Sequence, residues 1–316
     1  MIKFFISGGA GFIGSQLCEK IYTSFPRAQL IIYDKLTYAG NLKFLDKIIR
    51  SNRVKFIKGD IIDYKKYSKY LKNINFAINV AAESHVDRSF KNSLLFTRSN
   101  TLGAHTFVQS CIENNVKKIL QVSTDEVYGQ TLKGQKNEQS LMNPTNPYSA
   151  SKAAAEIIIN SYKFFESDKI LTVRGNNIYG VRQFPEKLIP SCIVNLIKNK
   201  KIQLNGDGKH ERCYLSAKDF AAGIVLLLKK NKTGIYNIGN DIYYKNYQVA
   251  KIICGLMKKN YKDNVVFIPD RPFNDRRYSI SINKIKKLGW SPKNQLVKDL
   301  PGIINWYKKN LKIFKY

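Results

Sequence analysis

The 316-residue chain has few of the residues that build disulfide frameworks and metal sites. It contains five cysteines, which are widely scattered with no Cys-x-x-Cys pair, and three histidines. An odd and scattered set of cysteines argues against a disulfide scaffold and favours a reducing compartment, so we expect a cytoplasmic protein. Because neither thiols nor imidazoles are clustered, we expect no bound metal.

Long hydrophobic runs are also missing. The longest, Phe220 to Leu228, has nine residues, whereas a membrane-spanning helix needs about 20. The N-terminal residues 1–6 lead directly into a glycine cluster without a small-residue cleavage site, which predicts a first strand and not a signal peptide. We therefore expect neither membrane insertion nor secretion.

Acidic residues are scarce: 23 Asp and Glu stand against 53 Lys and Arg, which gives a formal net charge of +30. Such a balance is typical of nucleic-acid-binding proteins. Here, however, the lysines are spread over the whole chain, and no basic arm or basic–aromatic alternation tracks a phosphate backbone. We expect no nucleic-acid partner, since an anionic small-molecule substrate suits this charge equally well.

The N-terminal half alternates apolar runs with helical patterns. The longest helical patterns cover about residues 90–114 and 148–165, and strands are predicted at residues 2–7, 30–34, 54–57, 76–80, 118–122 and 170–173. Strands that alternate with helices and are apolar on both faces indicate an α/β fold with a doubly wound parallel sheet. After Gly175 loops and shorter elements follow, which predict a smaller mixed α/β lobe and a cleft. The predicted domains are residues 1–175 and 176–316, with some segments of the second returning to the first.

A glycine-rich turn follows the first predicted strand. Gly8, Gly11 and Gly14 have the spacing that lets a backbone approach a pyrophosphate at a helix N-terminus. Asp34 ends the second strand 20 residues later, where a carboxylate accepts hydrogen bonds from ribose hydroxyls and disfavours a 2′-phosphate. Asp60, after the third strand, is expected at the adenine. The pattern predicts an NAD-binding domain.

Two further motifs carry candidate catalytic groups. Thr124, Asp125 and Glu126 end the fifth strand, and Tyr148 and Lys152 are four residues apart on a predicted helix. We expect the Lys152 ammonium to lower the pKa of Tyr148 from about 10 toward neutrality, which makes the tyrosinate available as a base.

Nine ordered sequence blocks then carry a resemblance over nearly the full length. They are GGAGFIGS (8–15), DKLTYAGNL (34–42), AAESHVDRS (81–89), STDEVYG (123–129), NPYSASKAAAE (146–156), RGNNIYG (174–180), QFPEKLIP (183–190), NGDG (205–208) and RPFNDRRY (271–278). In these blocks the chain resembles the extended short-chain dehydrogenases/reductases, which have a Rossmann fold, and among them the nucleotide-sugar 4,6-dehydratases.

The resemblance implies a hydro-lyase that acts on dTDP-glucose or UDP-glucose and forms the 4-keto-6-deoxy sugar nucleotide, a first step toward a rhamnose nucleotide. Tyr148 and Thr124 would serve oxidation at C4, while Glu126 as base and Asp125 as acid would remove water across C5–C6. NAD would be regenerated in each turnover and stay tightly bound. The alternative is a C4 epimerase of the same fold, which needs no Asp–Glu pair. A binding protein that has lost catalysis is disfavoured because Thr124, Tyr148 and Lys152 are all present.

The resemblance also supplies binding residues. The cofactor set is Gly8, Gly11, Phe12, Ile13, Gly14, Asp34, Lys35, Leu36, Thr37, Asp60, Ile61, Ala81, Ala82, Ser99, Tyr148 and Lys152. The substrate set is Ser84, Thr124, Asn177, Glu186, Lys187, Leu188, Arg212, Arg271 and Asn274. The blocks at 34–41 favour dTDP and those at 174–180 and 271–275 favour UDP, so the base stays open. A homodimer that pairs the helices at 90–113 and 148–165 is expected.

Overall fold

A computed structural model of the protein describes residues 1–314. Its strands are β1 (Lys3–Ser7), β2 (Gln29–Asp34), β3 (Val54–Lys58), β4 (Phe76–Asn79), β5 (Lys118–Thr124), β6 (Ile170–Gly175), β7 (Asn177–Tyr179), β8 (Ile202–Asn205), β9 (Glu211–Ser216), β10 (Gly234–Ile238), β11 (Tyr243–Lys245) and β12 (Val265–Ile268). Seven of them form one sheet in the order β10-β6-β5-β4-β1-β2-β3, and every pairing in it is parallel. The predicted doubly wound parallel sheet is confirmed.

The helices connect these strands. They are α1 (Phe12–Ser24), α2 (Tyr64–Tyr67), α3 (Val86–Lys91), α4 (Ser93–Phe96), α5 (Gly103–Glu113), α6 (Pro147–Ser161), α7 (Leu188–Ile197), α8 (Ala217–Lys229), α9 (Asn246–Leu256), α10 (Tyr261–Asn264), α11 (Asn283–Lys286) and α12 (Leu296–Asn310). Across residues 1–314, no helix combines the length and the apolar character that crossing a bilayer requires.

The helix predicted at about residues 90–114 is interrupted at Asn92, and from Ser93 to Glu113 the helical structure continues without a gap. The structure divides this stretch into α3, α4, a π-helical segment at Thr97–Leu102 and α5. The break between α3 and α4 lies at Asn92, whose backbone leaves the helical conformation and whose side chain accepts a hydrogen bond from the Leu95 amide at 3.3 Å. Asparagine caps helices in this way because its short side chain competes with the backbone for hydrogen bonds.

Both faces of the main sheet are buried. Phe4 and Phe5 of β1 are adjacent and point to opposite faces, and neither is exposed. Phe4 packs in a core cluster with Leu17 of α1 and Phe220 of α8, whereas Phe5 packs in a second cluster with Phe107 of α5. Helices therefore cover the sheet on two sides, as a near-continuous apolar strand sequence requires.

The C-terminal segment builds two small sheets, β11-β9-β7 and β12-β8, around a third apolar cluster formed with α7, α9 and α12. It also contributes β10, which pairs with β6 in the main sheet and which the sequence pattern missed. The domain boundary at residues 175/176 stays a prediction.

The strand order places the functional region. β4 and β2 lie on either side of β1, so the chain direction across the sheet reverses between β1 and β4. Ligands of open α/β sheets bind outside the carboxyl ends of the strands at this kind of reversal. The glycine turn follows β1 and Thr124 ends β5, so both predicted motifs lie at this edge.

Candidate active site

The glycine turn between β1 and α1 is packed too closely for side chains. Gly8 has a φ of +71°, and a Cβ there would lie 2.4 Å from the Ala81 amide nitrogen. A Cβ on Gly14 would lie 2.0 Å from the Gly8 carbonyl oxygen. The turn therefore stays open only with glycine, and it leaves the N-terminus of α1 accessible to an anionic group.

Asp34 is held at the end of β2 by both of its oxygens. Oδ2 accepts a hydrogen bond from the Ala10 amide at 2.9 Å, and Oδ1 accepts one from the Leu36 amide at 2.7 Å. Burial raises the pKa of this carboxyl, while the two backbone hydrogen bonds lower it. Lys35 forms an ion pair with Asp60 at 2.7 Å, which places both residues beside Asp34 in the cavity described next.

A cavity of about 320 Å³ runs from the glycine turn to the ends of β4, β5 and β6. The five predicted catalytic residues line it, as do all of the predicted cofactor residues except Leu36. The Leu36 side chain instead packs against the main core, while its amide holds Asp34. Besides Thr124, five predicted substrate residues line this cavity: Ser84, Asn177, Glu186, Lys187 and Leu188.

The turn after β5 presents two carboxyl groups in different surroundings. Thr124 caps it, because its hydroxyl oxygen accepts a hydrogen bond from the Glu126 amide at 3.2 Å. Asp125 is 2% exposed, and its Oδ2 accepts a hydrogen bond from Asn176 at 2.9 Å. Burial raises the pKa of Asp125 to about 7, so this carboxyl can hold a proton near neutral pH.

Glu126 is only partly buried and contacts polar groups from two other segments. Its Oε2 lies 3.4 Å from the Asn146 side-chain nitrogen and 3.5 Å from the Tyr278 hydroxyl. An acid that retains its proton and a neighbouring carboxylate that reaches a cavity form a pair able to remove a proton and protonate a leaving oxygen.

Tyr148 and Lys152 both line the cavity from α6, but the expected effect of the lysine on the tyrosine is wrong for this structure. The Lys152 ammonium donates to the Val122 carbonyl oxygen at 2.7 Å, and burial lowers the pKa of Lys152 to about 8. Burial, followed by the nearby Glu126 carboxyl, raises the pKa of Tyr148, while a hydrogen bond with Thr124 lowers it. Spacing on a helix does not reveal this direction, because it carries no information on burial.

A second cavity of about 320 Å³ adjoins the first and is lined by the remaining predicted substrate residues, Arg212, Arg271 and Asn274. Glu126, Asn177, Glu186, Lys187 and Leu188 line both cavities. Arg212 donates to the Asn274 side-chain oxygen at 3.2 Å, and Arg271 donates to an Asp87 carboxylate oxygen at 3.1 Å. A diphosphate at this junction would meet cationic side chains from separate segments.

His85 lines the second cavity. Its ring nitrogens are 3.5 Å from Asp87 and 3.7 Å from Glu186. Burial, reinforced by the Lys187 charge, lowers the pKa of His85 to about 4, so the ring is neutral near pH 7. Lys187 itself donates to the Ser84 carbonyl oxygen, and burial lowers the pKa of this lysine as well.

Sequence reasoning missed two residues that contact the predicted catalytic carboxyls. Asn176 contacts Asp125, and Tyr278 contacts Glu126. Both stand within blocks that the resemblance had already marked, but their partners are 51 and 152 residues away in the chain. Only the tertiary fold brings them together.

The sequence and the fold both match those of known proteins. Residues 5–300 match the family model described as GDP-mannose 4,6 dehydratase. The chain is 38% identical to a dTDP-D-glucose 4,6-dehydratase of Dictyostelium discoideum, with 98% of this chain and 82% of that protein covered. It is 38% identical to a trifunctional UDP-glucose 4,6-dehydratase/UDP-4-keto-6-deoxy-D-glucose 3,5-epimerase/UDP-4-keto-L-rhamnose-reductase of Arabidopsis thaliana, over 96% of this chain. The chain spans about half of that relative, 47% of its length.

Among solved structures, the fold is similar to that of DesIV, a dTDP-glucose 4,6-dehydratase from Streptomyces venezuelae crystallised with NAD and TYD bound. The TM-score is 0.96 at 33% sequence identity, with 99% of each chain covered. A dTDP-glucose 4,6-dehydratase from Bacillus anthracis in complex with NAD gives a TM-score of 0.90, also at 33% identity, with 99% of this chain and 98% of that chain covered.

Proposed function

The chain belongs to the GDP-mannose 4,6 dehydratase family, and from this premise we propose that it removes water from a nucleoside-diphosphate glucose. The substrate is dTDP-D-glucose or UDP-D-glucose, and the product is the 4-keto-6-deoxy sugar nucleotide. The enzyme is therefore a hydro-lyase with the fold of a dehydrogenase. Its reaction is a first step toward a rhamnose nucleotide, as the trifunctional relative of Arabidopsis thaliana supports.

One observation carries the proposal. A buried carboxyl with a pKa of about 7 and a second, partly exposed carboxyl are consecutive residues, Asp125 and Glu126, in the cavity that also holds Tyr148. An epimerase has no water to eliminate and so has no use for this pair. Elimination needs both an acid and a base at the same time.

The first cavity suits NAD. The glycine turn would face the pyrophosphate, and a Cβ at position 8 would clash within it. The Asp34 carboxyl is held by two backbone amides at the position expected for the ribose hydroxyls. When bound, NAD would supply the hydride chemistry between C4 and C6, and its positive charge would favour the ionised phenol of Tyr148. Lys152 would support the nicotinamide ribose.

The remaining steps are proton transfers by side chains of this chain. Tyr148, hydrogen-bonded to Thr124, takes the proton of the 4-hydroxyl group. Oxidation at C4 acidifies the neighbouring C5–H, and Glu126 removes that proton while Asp125 protonates the departing C6 oxygen. Glu126 later returns a proton to C5. The two carboxyls have different roles because their environments differ: of the two, only Asp125 is deeply buried.

Cationic and amide groups of the second cavity are proposed to bind the nucleoside diphosphate. Arg212 and Arg271 neutralise the diphosphate, while Lys187 and Asn177 line the passage to the sugar. Asn274 lies at the Arg212 guanidinium, where the base would enter. Thymine and uracil differ by one methyl group, which is worth about 1–3 kcal/mol, so use of both nucleotides is physically reasonable.

We further propose a homodimer that pairs the helical faces around residues 90–113 and 148–165. Leu94 is 79% exposed, Leu102 is 51% exposed and Ile157 is 60% exposed, which gives these helices an apolar surface that a second copy would cover. A cytoplasmic location is also proposed. It is supported by the five cysteines, which are all buried and unpaired.

The function is tested with purified protein, NAD and either UDP-glucose or dTDP-glucose, followed by mass spectrometry of the sugar nucleotide. We expect a product that has lost one water and carries a 4-keto group, and the two initial rates give the nucleotide preference. The Asp125→Asn variant serves as the matched control, since it retains the shape of the side chain and should form no dehydrated product. An isomer of unchanged mass from the unaltered protein would instead assign the enzyme as an epimerase.

A further inference from the structure

Asn176 lies between β6 and β7, next to the catalytic turn, and has no role in the proposal above. Its side chain is 5% exposed and lines the first cavity. Its Oδ1 accepts a hydrogen bond from the Asn240 backbone amide at 2.7 Å, and its Nδ2 donates to Asp125 Oδ2 at 2.9 Å. Two buried polar partners therefore hold this amide, one on each side.

The orientation of the Asn176 amide is fixed by chemistry. A backbone N–H can only donate, so the atom that faces Asn240 must be the oxygen, and the NH₂ group must face Asp125. The contact with the Asn240 loop is close, because a Cβ on Gly239 would lie 2.1 Å from Asn176 Oδ1. Glycine at position 239 is thus needed for the loop to reach the asparagine.

This arrangement distinguishes the two oxygens of Asp125. Oδ2 faces an NH₂ group, which cannot accept a hydrogen bond, so a proton on the neutral acid belongs on Oδ1. Oδ1 lies 3.3 Å from the Thr124 hydroxyl, which shares the cavity with Tyr148.

We propose that Asn176 is a positioning residue for Asp125, which it orients through Oδ2 so that the transferable proton is carried on Oδ1. The proposal rests on the proposed function for the identity of Asp125 as the acid, but the contact itself is independent of the substrate. Burial raises the pKa of Asp125, and so does the neighbouring Glu126 carboxyl. The Asn176 side chain, the Arg212 guanidinium and the Thr124 hydroxyl lower it. Tyr148 and Cys213 also interact electrostatically with this carboxyl.

The first measurement follows the protonation of Asp125 directly. The infrared carbonyl band of the protonated acid is recorded against pH in the full-length protein and assigned by its loss in Asp125→Asn. In Asn176→Ala the donor to Oδ2 is gone, so the band should persist to a pH at least about one unit higher. In Asn176→Asp the acceptor for the Asn240 amide is retained and two carboxyls face each other, so one proton should be held to a still higher pH.

The second measurement is the pH profile of the dehydration. Because the acid must be protonated, the rate should fall as pH rises through its pKa, and this descending limb should move upward in Asn176→Ala by the same interval as the infrared band. Loss of orientation should lower kcat about tenfold or more, with KM within about threefold. The control is Asn237→Ala, which removes another buried asparagine whose partners include Tyr128 and the Lys136 backbone. It should weaken the fold and leave both titrations unchanged.

The outcomes separate the two proposals. An Asp125 band that titrates alike in the unaltered protein and in folded Asn176→Ala overturns the role of Asn176, as does an equal shift in Asn237→Ala. If Asn176→Ala does not fold, the titration of Asn176→Asp decides: a shifted band supports the role and an unshifted band rejects it. If the unaltered protein forms no dehydrated sugar, the proposed function fails, and the infrared titration still decides whether Asn176 sets the proton on Asp125.

Discussion

Replacing Asp125 with asparagine should make the protein more stable than the unaltered chain. This gain in unfolding free energy should be larger at high pH than at low pH. The ordinary pKa of an aspartate is 3.8, and burial raises that of Asp125 to about 7. Between these values the folded protein binds a proton that the unfolded chain does not, so the free energy of unfolding falls as pH rises through this window. One pKa unit corresponds to about 1.4 kcal/mol, so the window corresponds to about 4 kcal/mol.

The variant removes this dependence. An asparagine oxygen can accept the hydrogen bond of Asn176, and its NH₂ group occupies the place of the acidic proton, so the amide resembles the neutral acid at every pH. At pH 5 the unfolded aspartate, with a pKa of 3.8, is already ionised while the buried one is not, so the variant should be the more stable by about 1.6 kcal/mol. At pH 8 the variant should be the more stable by up to about 4 kcal/mol, since only the unaltered chain then buries a charge.

The assay is urea denaturation of both proteins at pH 5 and pH 8, with the exposed Asp46→Asn variant as the control for loss of one negative charge. The control should differ from the unaltered protein by less than about 0.5 kcal/mol at either pH. If the Asp125→Asn variant gains no stability relative to the unaltered chain between pH 5 and pH 8, Asp125 is not a carboxyl of raised pKa. The assignment of the acid would then lose its physical basis.

Three further substitutions test other parts of the site. Gly8→Ala places a Cβ 2.4 Å from a backbone nitrogen at a positive φ, so NAD affinity measured by calorimetry should fall at least about tenfold, while Gly302→Ala, which meets nothing within 4 Å, should leave it unchanged. Glu156→Gln leaves the buried Arg174 charge uncompensated and should lower the unfolding free energy in urea by about 3 kcal/mol; a loss below about 1 kcal/mol would contradict a dry ion pair. Glu126→Gln should lose exchange of the C5 proton with deuterated water and slow dehydration at least about 100-fold, and retained exchange would remove Glu126 from the role of base.

The parts of the site that lie close together in the chain could be predicted from the sequence. The glycine turn and the Thr124–Glu126 triplet each follow directly from a strand, and the carboxyl ends of parallel strands share one edge of the sheet. Their place in one cavity therefore needed only the strand pattern. The break at Asn92 was missed, because the apolar spacing continues through it while the Asn92 backbone leaves the helical conformation.

What depends on burial or on distant partners could not be predicted. Tyr148 and Lys152 lie on one helix, as their spacing predicts. However, the lysine donates to a strand carbonyl, and the pKa of the tyrosine is raised. Asn176 gains its importance from Asp125 and from a loop more than 60 residues later. Such contacts are decided by packing in three dimensions, which periodicity does not encode.

The pairing of β10 with β6 has a consequence for how the chain reaches its native state. Until residues 234–238 emerge from the ribosome, β6 is an edge strand with unpaired amides and carbonyls, and it carries the Arg174 that later becomes fully buried. A fragment ending near residue 175 would keep this edge open to pairing with other chains, so it would be prone to aggregate. Translation of the C-terminal segment therefore also closes the sheet that holds the glycine turn.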